Sequence, residues 1–300
     1  MPNLIVSRVQ FKNFGPLPDF EWSGLKSINL IVGRNGTGKT LLLKAIYAML
    51  KSLETYRRGC EPRTIDEILS DELYWTFQTG NLDALVGKSN SAKLLFELEI
   101  NGESLRCQIN RGAKNETVAV LSNTCKPRRE DSVFFPLNDV LTAYSAIMST
   151  RERYCIFGFD NPSYHLARAA SYRVPRRPVP DCFSECREVL REITGGCVEF
   201  NETTCSWSFI DSAKNVYPIA TTSATVQKLG LLERLLDNRY ITSGSVLFFD
   251  EPDAGLDSNA IRRLRHVWCL LAEVGVQIFV AASSPFKMFQ ELDDVATLIL

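Results

Sequence analysis

Histidine is nearly absent: His165 and His266 are the only two in 300 residues, and neither stands near a cysteine pair. The nine cysteines are an odd count, and Cys182 and Cys186, four apart, have no second pair at zinc-ligand spacing. A histidine–cysteine metal cage is therefore not expected, and the thiols read as reduced and mostly buried, as in a cytoplasmic protein. Net charge is also missing. With 34 Lys+Arg against 35 Asp+Glu, the whole-chain field gives no case for a nucleic-acid binder. Basic residues gather locally at Arg57-Arg58, Lys126/Arg128/Arg129, Arg173/Arg176/Arg177 and Arg262/Arg263/Arg265, where the plain expectation is solvated surface. No apolar stretch approaches the ~20 residues a membrane helix needs. The opening Met1-Pro2-Asn3-Leu4-Ile5-Val6 reads as a strand rather than a signal peptide, so no membrane partner is expected. Repeats, low-complexity tracts and long heptad runs are absent too, which excludes a coiled-coil rod.

What is present is apolar bulk. At 45% hydrophobic residues the chain has enough for one large α/β domain, or for two lobes sharing a core. Strand-sized pieces at 4–11, 19–22 and 27–32 are separated by turn residues, and helical spacing follows over 41–51. Residues 59–92 read as a helix with polar loops. A strand meander is expected over 94–100, 104–109 and 117–121, its first turn marked by Asn101-Gly102. A short run at 133–135 precedes a helix expected over 139–148. The proline-rich stretch 173–181 makes the clearest internal break. After it come a helix over 182–193, small strands at 198–200 and 206–210, and a helix over 224–237. The runs 245–249, 277–281 and 295–300 are almost wholly apolar, as buried parallel strands are.

Two segments carry chemistry. Gly33-Arg34-Asn35-Gly36-Thr37-Gly38-Lys39-Thr40 matches G-x-x-x-x-G-K-[ST], and it sits between an apolar strand and an amphipathic helix, the context the motif requires. Its glycines let successive backbone N–H groups turn inward around phosphates, with the helix N-terminus adding partial positive charge. Lys39 is expected at the β- and γ-phosphates of ATP, and the Thr40 hydroxyl on Mg²⁺. Far downstream, Val246–Phe249 runs into Asp250 and Glu251, which places two carboxylates at the C-terminal edge of a parallel sheet. Asp250 is expected to hold the Mg²⁺ water shell, and Glu251 to orient and deprotonate the attacking water.

The block Asp250-Glu251-Pro252-Asp253-Ala254-Gly255-Leu256-Asp257 resembles the Walker B and D-loop of ABC-type ATPases. Together with Phe11-Lys12-Asn13-Phe14-Gly15 and the Walker A loop, it is similar to the SMC/RecF/OLD-like branch rather than to transporter subunits. The resemblance implies an α/β P-loop NTPase with a mixed or parallel sheet core, an antiparallel β-subdomain and a compact helical lobe. One head is expected over 1–300, with lobe I at about 1–138 and 238–300 and lobe II inserted at about 139–237. Heads of this kind sandwich ATP in a homodimer, which would bring Asp257 near the interface. The signature loop is best matched by Thr222-Ser223-Ala224-Thr225-Val226-Gln227-Lys228. There Ser223 and Gln227 are in place, but Ala224 replaces a glycine; a plain helix cap at Ser223 fits as well. The position of the switch histidine falls on Ser283 in Ala281-Ala282-Ser283-Ser284-Pro285, and Asn138 stands where a metal-facing Q-loop residue is expected.

These features lead to the expectation of a cytoplasmic, Mg²⁺-dependent ATPase that pairs with itself and acts in anti-phage defence or DNA repair. The short stretch after Ala281 and the scattered glutamates 185, 188, 192 and 199 offer no second chemistry. An effector such as a nuclease or toxin is therefore expected on a separate polypeptide, with nucleic acid or a phage protein as trigger. The alternatives are a slow or non-hydrolysing ATP-dependent scaffold, a transporter ATPase subunit and a P-loop kinase.

Overall fold

The computed structural model describes residues 4–88, 91–112, 117–176, 179–283 and 295–300. At its centre is a five-stranded sheet in the order β13-β3-β12-β11-β7, every pairing parallel. Its strands are β3 (Ile28–Val32), β7 (Ser132–Phe135), β11 (Val246–Asp250), β12 (Gln277–Ala282) and β13 (Val295–Ile299). Successive side chains of a strand point to opposite faces, and here both faces are covered. Ile31, Phe134, Phe248 and Phe279 enter one hydrophobic cluster. Their neighbours Leu30, Val133, Leu247, Phe249 and Ile278 enter the other. That is why these strands carry no polar alternation, as expected of parallel strands buried on both sides.

The first face packs against α1 (Lys39–Thr55) and α2 (Ile65–Phe77) and against an antiparallel sheet ordered β2-β1-β4-β5-β6. That sheet comprises β1 (Val6–Lys12), β2 (Phe20–Ser23), β4 (Lys93–Ile100), β5 (Glu103–Asn110) and β6 (Ala119–Asn123). The antiparallel strands keep the alternation the parallel ones lack, clearest in the buried Leu94, Phe96, Leu98 and Ile100 of β4. Each buried side chain of this size contributes roughly 1.5–3 kcal/mol. Helix α2 starts from a capping box, in which Thr64 and Glu67 satisfy each other's backbone N–H. Two buried amides bind the central sheet to its surroundings, Gln277 reaching the antiparallel sheet and Asn29 the loop before β3. Gln277 accepts from the Val6 N–H at 2.7 Å and donates to the Val6 and Lys26 carbonyls, while Asn29 accepts from the Lys26 N–H and donates to the Ile278 carbonyl.

The second face carries α3 (Tyr144–Met148), α4 (Asn161–Ser171), α5 (Asp181–Thr194), α6 (Ala224–Asp237) and α7 (Ser258–Glu273). Beside them lies a three-stranded sheet ordered β10-β9-β8, from β8 (Gly196–Asn201), β9 (Ser206–Asp211) and β10 (Val216–Pro218). The helix expected over 139–148 is shorter. Residues 140–143 form turns, α3 begins without a side-chain cap, and a single π-helical turn, Ser149–Arg153, follows it. The proline-rich stretch joins α4 to α5, and the buried Ala169, Ala170, Val179 and Phe183 on its two sides enter one cluster.

Candidate nucleotide site

The loop between β3 and α1 turns on glycine. Gly36 and Gly38 have φ of +84° and +100°, in the left-handed region that side chains other than glycine rarely adopt, and a Cβ at Gly38 would stand 2.5 Å from the Leu17 side chain. Lys39 opens α1 with its side chain buried, and its Nζ donates to the carbonyls of Gly33 at 2.9 Å and Arg34 at 3.1 Å. The ammonium thus lies across the mouth of the loop. Thr37 folds back on Arg34 through both its amide and its hydroxyl.

One residue on, the Thr40 hydroxyl donates to Asp250 at the end of β11, with Oδ1 at 2.9 Å and Oδ2 at 3.0 Å. Burial pushes the Asp250 carboxyl above its ordinary pKa, the Thr40 bond lowers it and the neighbouring Glu251 raises it. A hydroxyl and a half-desolvated carboxylate in contact are hard oxygen donors, the kind Mg²⁺ takes. The residues present therefore fit that ion. Glu251 follows with φ of +46°, its N–H bound to the Ala281 carbonyl at 2.9 Å. A non-glycine residue held there stores about 1–3 kcal/mol. Ser283, just past β12, lies within hydrogen-bonding reach of the Glu251 carboxylate and of Asn35 Oδ1 at 2.8 Å. The expected switch position thus ties the Walker A loop to the carboxylate after Walker B. Ser284 and Pro285 lie outside the described residues, as do Glu291, Asp293 and Asp294.

The other expected site residues are arranged differently. Ser223 caps α6, accepting from the Val226 N–H. Gln227 is turned inward: it accepts from the Thr142 hydroxyl at 2.9 Å and donates to the Ile219 and Thr222 carbonyls. Asp257 caps α7, accepting from the Asn259 and Ala260 N–H groups, both at 2.8 Å. Asn138 is exposed after β7 and lines a small cavity with Asp139, Gln227 and Lys228. Lys228 also lines a second cavity with Asp250 and Pro252. Burial depresses the Lys228 pKa, while Asp139, Asp250, Asp253 and Glu251 pull it back up. The sequence places Lys228 only at the end of the signature-like segment, and its position beside Asp250 is visible only in the fold, where both line one cavity.

Helix α1 leads away from this site with polar side chains on one face. Lys44 pairs with Asp160, the cap of α4, at 2.7 Å. The Tyr47 hydroxyl lies 2.9 Å from His165 Nδ1. His165 neighbours Glu72, which accepts from Asn161 at 2.8 Å. Burial lifts the Glu72 carboxyl to about 7 and holds the His165 imidazole well below its ordinary pKa. Further along, Lys51 meets Glu54 at 2.8 Å, Asp131 at 3.3 Å and the Tyr240 hydroxyl at 3.2 Å.

A P-loop and an acidic strand end at the C-terminal edge of a parallel sheet, flanked by an antiparallel sheet and a helical lobe, define the ABC-type ATPase head fold. The structural neighbours are of the SMC and RecF kind. An SMC head bound to the C-terminal winged-helix domain of ScpA aligns with a TM-score of 0.58 at 13% identity, over 95% of this chain and 91% of that one. A RecF–ATPrS structure of the RecFOR pathway aligns with a TM-score of 0.50 at 13% identity, over 98% of this chain and 95% of that one. In sequence, 110 residues, or 36% of the chain, are 31% identical to the DNA replication and repair protein RecF of Bacillus cereus (strain G9842). The match spans 26% of that relative's length. No family profile matches the chain. Among the described residues no helix is long and apolar enough to cross a membrane.

Proposed function

We propose that the chain binds ATP with Mg²⁺ between Walker A and Walker B, and hydrolyses it as one head of a head-to-head pair. The pair's nucleotide state is passed to a separate effector, a nuclease or toxin, in anti-phage defence or a DNA transaction, with nucleic acid or a phage protein as trigger. The observation that carries this reading is the Thr40–Asp250 contact, which joins the two motifs across 210 residues of sequence. Lys39 neutralises phosphate charge, and Thr40 and Asp250 hold the metal. A bound Mg²⁺ supplies charge neutralisation between the phosphates. Glu251, steadied by Ser283, takes the proton of the attacking water, and the loop amides of 33–38 together with Arg34 and Asn35 border the phosphates. Ser223 and Asp257, both at exposed helix starts, are assigned to the partner head's nucleotide. Gln227 and Ala224 favour a second reading, a slow or non-hydrolysing scaffold, since an inward glutamine and a Cβ at 224 leave the signature short of donors.

The test uses two variants. Lys39→Ala removes charge-assisted bonds worth roughly 1.5–3 kcal/mol each, so affinity for a fluorescent ATP analogue should fall by about a hundredfold with the fold intact. Glu251→Gln should keep binding, lose turnover and sediment as a dimer with ATP and Mg²⁺. Undiminished binding by Lys39→Ala overturns the site. Unchanged sedimentation in both wild type and Glu251→Gln overturns the paired head.

A further inference from the structure

Two of the basic clusters, seventy residues apart in sequence, meet at the far end of α1. Arg57 and Arg58 follow the helix's last turn, and the Arg128 N–H bonds the Leu53 carbonyl at 3.0 Å, which brings Arg128 and Arg129 alongside. The four arginines and Tyr56 line one cavity of about 620 Å³. We propose that this cavity is a second anion site, separate from the Walker A loop, for a small ligand carrying two or more adjacent phosphate groups.

Three of the four guanidinium groups are held in place. Arg57 sits at φ +56° with its guanidinium over the Tyr56 ring, 4.9 Å from the centroid, and Gly59 at φ +61° closes the turn. Arg58 is pinned by Asp131 at 2.8 Å. Arg128 is buried, donates to the Gly244 carbonyl at 3.0 Å and stands 3.8 Å from Glu54. Glu54 and Asp131 are therefore already shared with Lys51, Arg58 and Arg128. Neither carboxylate reaches Arg57 or Arg129, which have no acidic partner among the described residues. The negative end of the α1 dipole opposes an anion here, so the site depends on that excess of arginine. Planar, pre-positioned guanidinium forks suit phosphate oxygens. The volume lies within the ~300–1,000 Å³ of small-molecule sites.

The surroundings argue for a compact ligand over a nucleic-acid strand. Arg128 also lines the neighbouring cavity, whose other charged residues are Glu99, Glu130 and Glu273. A polyanion extending past the arginines would run into three carboxylates.

The probe is tripolyphosphate, titrated calorimetrically into the whole chain, Lys39→Ala and the double variant Arg57→Ala/Arg129→Ala. Both arginines are exposed, so an unchanged thermal midpoint should confirm folding. Two sites per chain are expected in the wild type. Lys39→Ala should lose one, and the arginine double variant the other, with affinity there falling tenfold or more. Loss of a site in the arginine variant but not in Lys39→Ala supports the second site and counts against the Walker A assignment. A single wild-type site that vanishes with Lys39→Ala, or two sites surviving the arginine double variant, overturns the proposal. So does an arginine variant that weakens duplex DNA binding while tripolyphosphate binding is unchanged.

Discussion

A single hydroxyl, at Ser283, bridges groups that are 32 and 248 residues distant in sequence, Glu251 and Asn35. Under the proposed chemistry its work is positional, since it fixes a carboxylate already held in a strained turn. Ser283→Ala should therefore leave the Kd for ATP within about twofold and lower kcat about fivefold, the worth of one hydrogen bond of ~1 kcal/mol. Steady-state kinetics beside equilibrium binding separate the two. A matching loss in both would make Ser283 a binding group. Legibility in the sequence divides along the same line. Walker A and Walker B could be read because their chemistry lies within eight neighbouring residues and follows an apolar strand. The substitution at 283 was visible as well, but not its partners, because hydrogen bonds across such separations leave no local pattern. Gln227 illustrates the converse: the right residue in the right order faces the interior, since the position of a side chain in a motif does not fix the face of the helix it occupies.

At the level of elements, α1 ties the nucleotide loop to lobe II through Lys44, Tyr47 and the His165–Glu72 pair. Glu72 is buried and its carboxyl is lifted from 4.5 to about 7, so folding favours its protonated form. The sign follows. The stability associated with the neutral acid is fully present below pH 4.5 and is lost as pH rises through about 7. The change corresponds to roughly 3 kcal/mol. Glu72→Gln keeps the acceptor for Asn161 without the charge. Denaturation midpoints at pH 5, 6, 7 and 8 should show wild type losing ground to the variant across that window. Parallel pH profiles would mean that Glu72 keeps its charge in the fold. Helix α4, which supplies His165, leaves little trace in the sequence even though Asp160 and Pro162 mark its start. Its apolar residues, mostly alanines, give a weak periodic signal, and packing against the neighbouring helices sustains it. The basic cluster at 262–265 similarly hid α7, whose apolar face is Leu264, Val267, Trp268 and Leu271.

For the molecule as a whole, the central sheet is a wall shared by two hydrophobic clusters. The helices and small sheet on the second face thus share their apolar cluster with β7, β11 and β12, and the two clusters should unfold together. Trp22 reports on the first, packed against Phe279 at 6.0 Å, and Trp207 on the second, packed against Phe200 at 4.9 Å. Variants retaining one tryptophan or the other should give coincident fluorescence transitions in denaturant. Separate midpoints would mean that the two faces of the central sheet unfold independently.

The two buried amides, Asn29 and Gln277, have a consequence of another kind. Strands that are apolar on both faces lose much of the usual safeguard against slippage, because within their apolar run sliding by one residue exchanges one apolar side chain for another. Beyond shape, the correct alignment is marked by the Thr40–Asp250 contact at the end of β11 and by the two amides. An amide that meets Val6 and Lys26 in one alignment leaves several buried groups unpaired in any other, at about 1–3 kcal/mol for each. Gln277→Met, close in volume, should therefore cost more in uniqueness than in compactness. Its refolded amide spectrum should show more than one set of peaks where the wild type shows one, and a single set would assign the alignment to shape alone.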